Sequence, residues 1–118
     1  CFNHTTLEHI YDVNKAFSNI CKMSNDIVII VVPFSQEQHE TSSFKDYWRF
    51  TPTCLRALFL ENGYETIYEA ESPYSKAGIY LLFVASKQRD FWKDKMPNKT
   101  KIEISGTQLD RGLYEKIS

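Results

Sequence analysis

The chain has 118 residues, a quarter of them charged, and a formal net charge of −1 at neutral pH. That is enough for one domain with a modest core. Lysine and arginine are scattered rather than clustered, which argues against nucleic acid or a membrane surface as the main partner, and no apolar run approaches the ~20 residues of a membrane span.

The chain opens on Cys1 rather than Met and without a signal-peptide pattern. It reads as processed, or as cut from something longer, and a cytoplasmic location is expected. Cys1, Cys21 and Cys54 form an odd set without metal-ligand spacing. Cys21 and Cys54 fall in helical patterns and are expected to be small core residues, and no metal site is expected. Asn3-His4-Thr5 and Asn98-Lys99-Thr100 match the glycosylation sequon and are read as chance matches.

Residues 1–6 read as the end of a strand and the loop after it. Val13, Ala16, Phe17, Ile20 and Cys21 then fall on one apolar stripe of a helix over 12–23, with Asp12 as its N-cap. Ser24-Asn25-Asp26 turns the chain into the apolar run 27–32, Ile-Val-Ile-Ile-Val-Val. β-Branched residues without polar alternation predict a central strand buried on both faces, as in a parallel sheet covered by helices. Pro33-Phe34 ends the run, and a polar stretch leads through Asp46-Tyr47-Trp48-Arg49-Phe50 to Thr51-Pro52. Thr51 suits an N-cap and Pro52 the first position of a helix over 52–62, whose buried stripe is Leu55, Leu58 and Phe59. Gly63 stands where a left-handed residue ends such a helix, with Tyr64 folding back on Phe59. Residues 65–72 and 79–86 read as strands joined by a loop over 73–78, a short connection that favours an antiparallel pair. From Lys87 the chain turns charged, and only Ile102 and Ile104 suggest a further short strand. Residues 1–88 are taken as a partial domain and 89–118 as an extension.

Three segments carry a family resemblance. Thr6-Leu7-Glu8-His9-Ile10, followed by Asp12 and a helix, resembles the segment after the fourth strand of class I S-adenosylmethionine-dependent methyltransferases. Val32-Pro33-Phe34, then His39, then Asp46-Tyr47-Trp48-Arg49-Phe50-Thr51-Pro52 and Leu55, resembles their fifth-strand loop and helix. Gly63-Tyr64-Glu65 resembles their turn into the sixth strand. The likeness spans Phe2 to Ser86. The chain departs from the family in having Asn25-Asp26 for the usual Gly-Gly turn. Gly63, Gly78, Gly106 and Gly112 also make no Gly-x-Gly loop of the kind that holds the methyl donor.

The resemblance implies an α/β fold: the C-terminal half of a Rossmann-like methyltransferase sheet, ending in an antiparallel strand pair. It implies S-adenosylmethionine as cofactor and methyl transfer to a small polar or glycan-like acceptor, as part of a longer chain. The alternative is a degenerate half-domain that serves as a binding or structural module. By resemblance, Asn3, His4 and Thr5 border the donor pocket, while Leu7 and His9 buttress it.

Ligands of open α/β sheets bind outside the carboxyl ends of the strands, so the loop from Pro33 to Phe50 is the expected site. Methyl transfer needs alignment and often removal of a proton. His39 is the candidate base, and Asp46, Tyr47 and Arg49 the candidate substrate contacts. Plainer readings stand beside these. His39 also fits an exposed loop residue, and Asp46 and Arg49 fit a mutual pair. Trp48 and Phe50 fit packing groups, and Glu8 fits a carboxylate near the positive end of a helix.

Overall fold

The β-branched run forms the strand around which the domain is built. The computed structural model describes residues 1–72 and 80–96. In chain order these form β1 (Phe2–His4), a 3₁₀ turn (Leu7–His9), α1 (Val13–Met23) and β2 (Ile27–Pro33). They continue with α2 (Pro52–Glu61), β3 (Glu65–Glu71), β4 (Tyr80–Ser86) and α3 (Arg89–Trp92). The four strands make one open mixed sheet in the order β1-β2-β4-β3, so this is a small α/β domain.

β2 is central, with Val28, Ile30 and Val32 fully buried. Its neighbours run in mixed directions. β1 lies parallel to it, with His4 opposite Val31, but β4 runs antiparallel along its other side, with Ile30 opposite Phe83. An unbroken apolar run reports burial on both faces and carries no information on the direction of the neighbours. β3 and β4 form the expected antiparallel pair, with an irregularity between Thr66 and Tyr68. The connection over 73–78 and the strand suggested by Ile102 and Ile104 lie outside the described residues.

Both helices start as their caps predict. The Asp12 carboxylate accepts from the Lys15 amide, and the Thr51 hydroxyl from the Cys54 amide with Pro52 in the first turn. α1 buries Phe17, Ile20 and Cys21, and α2 buries Leu55, Leu58 and Phe59. Phe17 meets Phe59 edge to face at 4.8 Å. Tyr64 is buried beside Phe59, and its hydroxyl donates to the Cys21 carbonyl at 3.0 Å, tying α1 to the start of β3. Burial pushes the Cys21 thiol up to about 11, so it serves as a small apolar filler. Cys54 is not a core residue: it is exposed, because α2 turns Leu55 inward and its neighbour outward.

The last described turn docks back on the sheet. The Trp92 indole N–H donates to Asp26, as does the Ser86 hydroxyl, and these two bonds hold the Asp26 carboxyl below the usual range. Gly63 ends α2 at φ 77°, with nothing within 4 Å of where a Cβ would stand. Backbone strain alone therefore sets the cost of Gly63→Ala, and a loss of about 1–2 kcal/mol in urea unfolding is expected. An unchanged midpoint would mean that the turn relaxes.

Candidate functional site

Because β1 and β2 are parallel, their carboxyl ends open on the same edge of the sheet. The 3₁₀ turn after β1 and residues 34–51 after β2 meet there. This second segment has no regular secondary structure, yet it is strapped to the turn. The Tyr47 and Trp48 amides donate to the Glu8 carbonyl at 2.7 and 3.2 Å. The Trp48 indole donates to the Ile10 carbonyl at 2.9 Å, and His9 Nδ1 faces the Lys45 carbonyl at 2.8 Å. Phe50 is buried in the core, while Trp48 keeps about a third of its surface exposed beside Tyr11 and Tyr47.

Asp46 and Arg49 hold this loop in shape. Arginine has five N–H donors, and all five of Arg49 are engaged within the loop. Nε donates to the Gln36 carbonyl, Nη1 to Asp46 and the Trp48 carbonyl, and Nη2 to Asp46 and the Glu37 carbonyl. The two Asp46 bonds form a fork at 2.7 and 2.8 Å. Asp46 Oδ2 also accepts the His39 amide at 2.7 Å. The paired guanidinium holds the Asp46 carboxyl down at about 2, against the cost of burial. The mutual pairing read in the sequence is therefore present, and it leaves Arg49 no free donor for a ligand. A cleft of about 410 Å³ lies over this clamp, lined by Gln36, Gln38, Asp46, Tyr47, Trp48 and Arg49. Tyr47 is its most accessible candidate side chain among those singled out in the sequence, at 46% exposure.

His39 stands at the junction of loop and turn. Its side chain is 41% exposed, and Nδ1 lies 3.3 Å from the Glu37 carbonyl and 3.4 Å from Asp46 Oδ2. Its ring meets the His9 ring edge on at 4.9 Å, and Phe44 packs on His9 at 4.7 Å.

Glu8 lies in the first turn of the 3₁₀ helix. It is fully buried within the 3₁₀ turn. Neither of its carboxylate oxygens has a hydrogen-bond partner among the described residues, and His9 Nε2 approaches Oε1 to 3.4 Å without hydrogen-bond geometry. Glu8, His9 and His39 each offer a ligand atom within 4.8 Å of the others. Local sequence gives little sign of this trio, because His39 arrives from a loop on the other strand.

Asn3, His4 and Thr5 occupy the end of β1. Thr5 adopts a left-handed φ of 47°, an unusual state for a β-branched residue. It is held there by its amide bond to the Val31 carbonyl at 2.8 Å and by a contact between its hydroxyl and His4 Nδ1 at 3.0 Å. The Asn3 side-chain carbonyl is buried without a partner among the described residues. Strained backbone and an unpaired polar atom at the end of a strand are features of binding edges. No family model and no curated protein matches this chain. Among the described residues, no helix is long and apolar enough to cross a membrane.

Proposed function

We propose that this chain contributes the acceptor side of an S-adenosylmethionine-dependent methyltransferase, transferring a methyl group to a small polar or glycan-like acceptor. The observation that carries the reading is the meeting of two loops at one sheet edge. The Leu-Glu-His turn after β1 and the His39 loop after β2 are hydrogen-bonded together where ligands of open α/β sheets bind. These are the segments that resemble the family. The antiparallel pair of β3 and β4 also suits the C-terminal half of its sheet.

In this reading the strained end of β1 borders the donor, and the unpaired Asn3 carbonyl accepts a donor hydroxyl. His39 takes up the acceptor's proton, with Asp46 fixing its backbone and facing Nδ1. Tyr47 lines the acceptor cleft, and Arg49 shapes that cleft through Asp46 rather than by touching the acceptor. The outer edge of β1 pairs with no strand among the described residues, and Phe2 on it is 63% exposed. An open edge of this kind suits completion by further strands, which would carry the glycine-rich donor loop. The cysteines are free, which agrees with a reducing cytoplasmic setting.

Calorimetry with S-adenosylmethionine tests the reading. The 118-residue chain is expected to show no micromolar binding. A longer chain supplying strands and a glycine-rich loop beside β1 is expected to bind the donor and to transfer its labelled methyl group. Micromolar binding by this chain alone would sink the half-domain argument. A longer chain that binds no donor would leave a non-catalytic module as the function.

A further inference from the structure

We propose that Glu8, His9 and His39 form a site for one divalent transition-metal ion of the zinc type. One carboxylate and two imidazoles are a ligand set that favours zinc and its first-row neighbours over magnesium or calcium, which take mainly oxygen ligands. Three protein ligands leave a fourth position open, as in catalytic zinc centres.

The geometry suits an ion closely. Ligands about 2.0–2.2 Å from a tetrahedral zinc stand roughly 3.3–3.5 Å apart. Glu8 Oε1 and His9 Nε2 are already 3.4 Å apart, and all three ligand atoms fall within 4.8 Å of one another. His39 sits on a loop with a partly exposed side chain, and binding would require its ligand nitrogen to close from that spacing.

Two further observations point the same way. First, Glu8 is fully buried with neither carboxylate oxygen hydrogen-bonded among the described residues. A buried carboxylate is costly unless a cation or donors compensate it, and the 3.4 Å approach of His9 serves only one of its oxygens. Second, both histidines are held from behind as metal-bound histidines are. His9 Nδ1 faces the Lys45 carbonyl at 2.8 Å. His39 Nδ1 lies near the Glu37 carbonyl and the Asp46 carboxylate at 3.3 and 3.4 Å. A proton on each Nδ1 leaves each Nε2 as the ligand nitrogen.

The ion's chemical part rests on the methyltransferase reading. A bound ion would take His39 Nε2 out of use as a base and would itself promote ionisation of a coordinated acceptor hydroxyl. That proton leaves to water, the oxygen bonds to the sulfonium methyl carbon, and the carbon–sulfur bond breaks to release the neutral thioether.

The test uses metal ions alone, without donor or acceptor, so it stands apart from the test of methyl transfer. Zn²⁺ is titrated by calorimetry and Co²⁺ by visible absorption into the chain carrying Cys1→Ser and Cys54→Ser, which removes the exposed thiols. One equivalent of each ion is expected to bind, with Co²⁺ giving d–d bands of low coordination number. His39→Ala lies on a partly exposed side chain and preserves the fold. It is expected to weaken binding beyond the ~10–100-fold typical of losing a ligand's supporting partner. Glu8→Gln, with its fold checked by circular dichroism, is expected to do the same. Failure of the parent chain to bind one equivalent, or equal binding by His39→Ala, would overturn the site.

Discussion

Asp46→Ala is expected to destabilise the domain by about 3 kcal/mol in urea unfolding, a large fraction of the ~5–15 kcal/mol that holds a domain together. Asp46 is 1% exposed, and its carboxylate satisfies two Arg49 donors and the His39 amide. Alanine leaves those donors unpaired, with the Arg49 side chain only 25% exposed. Arg49→Lys is expected to fall short of wild type as well, since a point charge cannot make five directed bonds. The effect has a defined pH window. The Asp46 carboxyl is held at about 2 in the fold against an ordinary 3.8. Its contribution is therefore complete above the ordinary value and is lost as pH falls through the folded one. The shift corresponds to roughly 2–3 kcal/mol, so the gap between wild type and variant should narrow by that amount between about pH 5 and pH 2. A variant within about 0.5 kcal/mol of wild type at neutral pH, the range of an ordinary surface change, would show that the loop is held by its backbone bonds to the turn instead.

The parts of the fold that were legible in the sequence are those governed by local rules. Asp12, Thr51-Pro52 and Gly63 each act through neighbours within a turn, so both helices could be placed from the chain alone. Tyr64 behaved as expected for the same reason. Non-local features were less visible. The run at 27–32 reported that β2 is buried, but not that β4 would lie antiparallel against it. Cys54 stands one position from the buried Leu55, and at that resolution a helical stripe cannot say which neighbour turns outward.

The candidate site divides in the same way. Asp46 and Arg49, three apart, were readable as a pair, although the engagement of every Arg49 donor depends on carbonyls of Gln36 and Glu37 across the loop. The burial of Glu8 was not legible, because the exposure of a carboxylate is set by what covers it. Residues 44–48 fold over the same turn, with the Tyr47 and Trp48 amides on the Glu8 carbonyl and Phe44 on the His9 ring. The same folding brings His39 to His9, a meeting that no spacing rule anticipates.

His39→Ala should then have its main effect on rate. In the longer chain proposed above, turnover is expected to fall about 10²–10⁴-fold, the usual cost of losing a general base. Donor affinity should change little, because in the proposed reading the donor borders the end of β1 rather than this loop. Stability should stay within about 0.5 kcal/mol, as for an ordinary surface change. It is the His39 backbone amide, kept in the variant, that binds Asp46 at 2.7 Å, while the ring is 41% exposed. A histidine serving only the loop would leave turnover intact, and Tyr47 would become the stronger candidate. Chelation separates the two parts His39 can play. If wild-type turnover survives removal of divalent ions, the ring accepts the proton itself. If turnover collapses on chelation and returns with Zn²⁺ but not with Mg²⁺, His39 works by holding the ion beside Glu8 and His9, and the proton departs from a metal-bound oxygen.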